Sequence, residues 1–217
     1  MKTRFLTILT LALALTFTNC KDKAQEAETT EVEQAAEVTE VSTKYVVDTE
    51  ASTIMWKGFK PTGSHTGTIK LESGVFTTND EAIESGSFLI DMKSLYVTDL
   101  AEDTEDHGKL TGHLKSPDFF DVEAFPASAF EVTGFKTENG KTMLSGNLKM
   151  KDVENNISIP VNVKENNDSL TITSETFTVD RSKWNVKYGS KSFFDDLGDK
   201  FINDDMELQI TITANKA

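Results

Sequence analysis

Residues able to do chemistry are few in this chain. It has three histidines and one cysteine, Cys20, and no Ser-His-Asp elbow, phosphate loop, zinc motif or dinucleotide fingerprint. His65 stands between Gly63 and Gly67, where a tight hairpin or a close backbone approach is expected. It either anchors that hairpin or meets the polar head of a bound molecule. His107 and His113 are six residues apart, which puts them on different faces of a helix and unsuits them to a shared metal. Asp103, Glu105, Asp106 and His107, with a single i,i+4 pair (Asp103 and His107), read as the solvated start of a helix. Asp195, Asp196, Asp199, Asp204 and Asp205 surround Gly198 without calcium-loop spacing, so no metal site is expected. Asp180 and Arg181 read as a local ion pair at a strand end, with Arg181 the cation best suited to a phosphate group. A carboxylate pair acting without a sequence signature leaves an unrecognised hydrolase as an alternative.

The N-terminus decides where such residues work. Lys2 and Arg4 precede an uncharged run from Phe5 to Phe17, rich in Leu and Ala. That run is shorter than the roughly 20 apolar residues a spanning helix needs, and a positive start before a short apolar stretch is a secretory signal. Cys20 follows and resembles the lipobox cysteine of bacterial lipoproteins, whose thiol receives diacylglycerol and becomes the new N-terminus. The alternative is plain secretion with an incidental cysteine. Residues 1–19 are thus the signal, with Cys20 a lipidation site and a membrane anchor. With that thiol consumed, no disulfide framework, zinc-thiolate site or cysteine nucleophile remains.

Residues 20–43 have another character. Seven acids (Asp22, Glu26, Glu28, Glu31, Glu33, Glu37 and Glu40) face Lys21 and Lys23, with no aromatic residue. So little apolar surface cannot offset the entropy of ordering, which predicts a disordered acidic tether lifting the rest off a membrane. Residues 44–217 are one domain by length. The whole chain carries a net charge of −14, which excludes nucleic acid as a partner because phosphate binding needs a basic footprint.

Alternation of period two dominates this domain. Phe88, Ile90 and Met92 share one face, as do Ile157, Ile159, Val161 and Val163. In the last segment Met206, Leu208, Ile210 and Ile212 alternate with Glu207, Gln209, Thr211 and Thr213. Further strands are expected over 53–60, 67–77, 127–137, 142–150 and 169–179. Turns are signalled at Lys60-Pro61-Thr62-Gly63, Asn139-Gly140 and Glu165-Asn166-Asn167-Asp168. About eight strands with one apolar face predict an all-β, antiparallel sheet closed into a barrel, which removes its edges. The stretch 98–116 is the exception: Thr98 or Asp99 as N-cap, early acids and late lysines predict a short inserted helix. Its Leu110 and Leu114 would face the barrel.

Several segments, in order, resemble the YceI-like family of lipocalin-like, polyisoprenoid-associated bacterial proteins. They include Trp56-Lys57-Gly58, Gly63-Ser64-His65-Thr66-Gly67-Thr68-Ile69, Leu110-Thr111-Gly112-His113-Leu114-Lys115-Ser116-Pro117-Asp118-Phe119-Phe120-Asp121 and Phe125-Pro126-Ala127-Ser128-Ala129-Phe130. Gly146-Asn147-Leu148-Lys149-Met150-Lys151 and Phe177-Thr178-Val179-Asp180-Arg181-Ser182-Lys183-Trp184-Asn185-Val186 continue the series. Asp152-Val153-Glu154-Asn155-Asn156 departs from the family's usual Gly-Val-Thr-Lys-Pro and leaves that loop's conformation open. The resemblance implies an eight-stranded lipocalin-like barrel holding a long isoprenoid chain, without catalysis and with no cofactor beyond that lipid. The lumen candidates are Trp56, Phe88, Ile90, Met92, Phe119, Phe120, Phe130, Leu148, Ile159, Val161, Phe177, Leu208 and Ile210, with His65 and Arg181 as head-group candidates. Each aromatic taken singly is also a plain core residue, and a filled barrel serving as a surface or stress-related interaction module is the alternative. The expected setting is the cell envelope, periplasm-facing or on the cell surface, with an apolar lipid as ligand and the membrane as second partner.

Overall fold

Strands this long must coil, and the segments of period-two alternation do so by closing on themselves. In the computed structural model, which describes residues 24–39, 42–79, 82–138 and 140–217, eight strands form the barrel. They are β3 (Thr43–Lys60), β4 (Gly63–Asn79), β5 (Ala82–Val97), β6 (Ala127–Glu138), β7 (Lys141–Met150), β8 (Val153–Asn166), β9 (Ser169–Ser174) and β11 (Asp205–Lys216). Each pairs antiparallel with the next, and β11 closes the ring between β9 and β3. Three short strands accompany them: β1 (Gln25–Glu26), β2 (Glu28–Thr30) and β10 (Phe177–Asp180). The signal, residues 1–19, and Cys20 lie outside the described residues. No helix among the described residues is long and apolar enough to cross a membrane.

The turns follow their residues. Pro61-Thr62 joins β3 to β4, and Gly140 takes the left-handed φ of 77° that the Asn139-Gly140 signal requires. Asn167, at φ 51°, turns β8 into β9. The family-divergent loop is a tight turn of Lys151 and Asp152, Lys151 at φ 55°, with β8 starting at Val153. The strand expected over 169–179 is broken after Ser174; β10 resumes it along β11.

Helix α1 (Glu105–Lys115) is shorter than expected and is capped not by Thr98 or Asp99 but by Thr104. The Thr104 hydroxyl oxygen accepts from the His107 N–H at 3.2 Å. Asp99 is engaged elsewhere: its carboxylate accepts from the Thr66 N–H at 3.0 Å and meets His65 Nδ1 at 2.9 Å. Two hydrogen bonds across the barrel rim outweigh the one a cap would have supplied.

The acidic segment is the largest correction. Over 24–39 it is laid on the barrel rather than disordered. Between the upper part of β8 and β10 the wall has a seam, because β9 pairs with β8 only over 161–166. β1 pairs parallel with β10, and β2 pairs antiparallel with Asn156–Ser158 of β8, so this segment fills the seam. Ala27 is 3% exposed and its N–H donates to the Thr178 carbonyl at 2.8 Å. Farther on, the Asn147 amide takes both backbone groups of Glu33, accepting at 3.0 Å and donating at 2.7 Å. The Ala36 N–H reaches the Val132 carbonyl, which a register shift in β6 leaves open. Low hydrophobicity argued for disorder; strand edges that need partners decided otherwise.

Candidate binding cavity

Inward-pointing side chains fill only part of the bore. At one end Tyr45 stacks on Phe76 at 5.4 Å and Phe76 on Phe88 at 6.0 Å, making a solid floor. Above Phe88 the barrel encloses a cavity of about 290 Å³, near the lower limit of the roughly 300–1,000 Å³ common for small-ligand sites. Every lumen candidate from the sequence lines it: Trp56, Phe88, Ile90, Met92, Phe119, Phe120, Phe130, Leu148, Ile159, Val161, Phe177, Leu208 and Ile210. Period two explains the strand positions; Phe119 and Phe120 come from the turn after α1. The rim carries Phe59, Lys60 and His65 from the β3–β4 hairpin, Leu110, His113 and Leu114 from α1, and Ile202 and Asn203 from the loop before β11.

Two aromatic walls depend on missing side chains. Trp56 lies opposite Gly67, and a Cβ there would stand 2.4 Å from the indole and 2.0 Å from the Tyr96 carbonyl oxygen. Phe130 lies over Gly146, where a Cβ would come within 2.3 Å of its ring. Each glycine lets a ring lie flat along the sheet.

Of the two head-group candidates, His65 sits at the rim, tied to Asp99. Burial raises the Asp99 pKa, yet the Thr66 N–H and His65 outweigh it and hold the carboxyl below its ordinary range. Arg181 is fully buried and employed in holding the fold. Its Nε donates to the Asn203 carbonyl at 3.1 Å, Nη1 to Val186 at 2.6 Å and Nη2 to Ile202 at 3.1 Å. The expected local pair with Asp180 is not formed: Asp180 caps the 3-10 turn Arg181–Trp184 by accepting from the Ser182 N–H. Arg181 instead makes an ion contact with Asp204 at 3.3 Å, off the alignment of a hydrogen bond. Its guanidinium also lies 5.1 Å from the centre of the Phe119 ring. Burial lowers its pKa, with Asp204 and Asp180 opposing.

The rest of the wall has few polar atoms to offer. Ser174 Oγ accepts from the Ile210 N–H at 2.8 Å. Two wall atoms, Trp56 Nε1 and Ser128 Oγ, are buried without a protein partner among the described residues. Ser128 was not singled out in the sequence, although it shares its inward face with Phe130 two residues on. Leu144 and Ile172 were missed as well; both sit inward on strands whose alternation was legible. Among the described residues no three His, Cys, Asp or Glu side chains gather as a metal site would need.

Comparison with known proteins gives the same architecture. The family model described as the YceI-like domain matches residues 45–214. Crystal structure of BcnA from Burkholderia cenocepacia aligns with a TM-score of 0.63 at 18% identity, covering 78% of this chain and 99% of that one. A polyisoprenoid binding domain from Saccharophagus degradans, implicated in plant cell wall breakdown, aligns with a TM-score of 0.58 at 13% identity, covering 80% and 98%. At such identities these two likenesses are of fold. No curated protein matches the chain.

Proposed function

The chain belongs to the YceI-like domain family, and from that membership we propose that its barrel binds and carries one long apolar lipid of the polyisoprenoid type. The observation that carries this is the open, apolar upper half of the bore above a packed floor. A core meant only for stability would close such a space, because interiors pack densely and voids lose contacts. A branched isoprenoid chain suits it: burial contributes about 0.8 kcal/mol per methylene before ordering losses. The one buried cation on the wall among the described residues, Arg181, has three carbonyls and Asp204 as partners, which favours a neutral chain inside with any charged head at the rim beside Lys60 and His65. The role is binding without catalysis. The setting is the cell envelope, with Cys20 lipidated as the anchor.

Gentle desalting and native mass spectrometry of the protein purified from its own membranes tests this. The expected result is a bound molecule that organic extraction identifies as an isoprenoid. An empty barrel that also takes up no added polyprenol overturns the proposal. The filled-barrel alternative predicts that empty outcome.

A further inference from the structure

We propose that the first half of the loop over the barrel mouth, residues 187–194, is a docking surface that rests the mouth on a lipid bilayer. Tyr188, Phe193 and Phe194 are 46%, 45% and 49% exposed and lie within one short stretch. The other exposed large hydrophobic residues are Val, Leu and Met with one tyrosine, Tyr96, so this is the one local concentration of aromatic surface among the described residues. The Lys187 Nζ lies 4.8 Å from the Phe193 ring centre, and Lys191 Nζ lies 3.6 Å from that of Phe201. Aromatic rings beside lysines are what the boundary between acyl chains and anionic head groups accommodates. No acid occurs in 187–194 of a chain whose net charge is −14. Asp195, Asp196 and Asp199 stand in the loop's second half, which leaves the first half as the contact.

The loop is joined to the cavity. Tyr188 packs edge-on against His113 at 4.5 Å, and the Ile202 N–H donates to the Gly189 carbonyl at 2.9 Å. His113 and Ile202 both line the rim. Chain length supplies the second argument, which rests on the reading of Cys20 as lipidated. Gln25 is held against Phe177, and only four residues lie between it and Cys20. Five steps of chain reach at most about 18 Å. Glu26 pairs with Lys183 at 3.4 Å, at the 3-10 turn from which the loop departs. An acyl anchor on Cys20 therefore keeps the bilayer within about 18 Å of Gln25 and cannot let the barrel stand off on a long tether.

The test places Phe193→Trp in the mature full-length chain and mixes it with vesicles of phosphatidylethanolamine and phosphatidylglycerol bearing brominated acyl chains. Bromine quenches tryptophan only at acyl depth, and the parent's Trp56 and Trp184 give the background to subtract. Quenching of the added tryptophan by roughly twofold is expected, given insertion of about 5–10 Å. Phe193→Ser with Phe194→Ser should slow transfer of a fluorescent prenyl lipid from the vesicles into the barrel by roughly tenfold, on the scale of two lost aromatic contacts. Absence of quenching overturns the proposal. So does sedimentation showing that a second copy covers the loop. The mass of the N-terminal peptide reports acylation separately: quenching with an unmodified Cys20 keeps the docking surface and removes the anchor.

Discussion

Replacing Asn147 by alanine should unfasten residues 24–39 while leaving the barrel folded. The Asn147 amide is 3% exposed and makes three hydrogen bonds: two with the Glu33 backbone and one accepted from Asn156 Nδ2 at 2.9 Å. Asn156 keeps Thr133 Oγ1 at 2.8 Å, so its loss is partial. At about 1 kcal/mol for each net hydrogen bond, the two Glu33 bonds make detachment easier by about 2 kcal/mol. That is roughly a 30-fold larger population of the open form. Hydrogen exchange reads it directly: the Glu33 and Ala36 amides should exchange roughly 30-fold faster, while amides in β3, β4 and β5 keep their protection. A protease specific for Glu should cut after Glu33 and Glu37 faster by a similar factor, since cleavage of an opening segment follows its population. If β6–β8 lose protection equally, the segment is not a separately opening unit. If the Glu33 amide is unaffected, the fork contributes nothing to its docking.

Gly67→Ala should cost several kcal/mol and distort the cavity wall at Trp56, because its Cβ would meet the Tyr96 carbonyl at 2.0 Å; chemical denaturation and tryptophan emission check this together. Trp56→Phe and Ser128→Ala should each reduce the preference for an isoprenoid alcohol over its hydrocarbon analogue by roughly fivefold, the worth of one hydrogen bond. Competition against a fluorescent lipid measures it with phytol and phytane, and equal weakening of both ligands would assign these residues to packing alone. Burial, and then the hydrogen bond and charge of Glu165, raise the Tyr45 pKa above its usual 10.0. Because the folded-state value is raised, the associated stability is complete below the unfolded value and falls as pH climbs through the folded one. Stability of the parent should therefore drop more steeply above pH 10 than that of Tyr45→Phe, as urea midpoints at successive pH values would show.

The barrel was legible where side chains alternate between lipid-like and watery surroundings. Phe88-Leu89-Ile90-Asp91-Met92 and Met206 to Thr213 declare their faces by residue type alone. What sets the functional space was harder to read. In sequence Gly67 marks only a tight hairpin or close backbone approach beside His65 and Gly146 lies unmarked inside the expected strand 142–150; only cross-strand packing shows that they make room for Trp56 and Phe130. Arg181 reads in sequence as a partner of Asp180 suited to a phosphate, because the partners it takes, Asn203, Val186 and Ile202, offer backbone carbonyls, which no sequence pattern advertises. The acidic segment misled for a related reason. Its docking rests on main-chain pairing with the edges of β8 and β10 and on the Asn147 amide, none of which depends on its own hydrophobicity.

That segment also imposes an order on assembly. Synthesis delivers residues 24–39 before any strand of the barrel, yet Asn147, their partner 114 residues on, arrives much later, and Phe177 later still. Closing so long a loop is slow compared with pairing neighbouring hairpins. The hairpins β3–β4, β4–β5 and β6–β7 form first by this reckoning, and the earliest-made piece of chain is the last stave set in the wall. Between those events Phe177 and Ile157 border an opening in the side of the lumen. On this order of assembly the side of the cavity beside Phe177 and Ile157 is the last part of the wall to be covered.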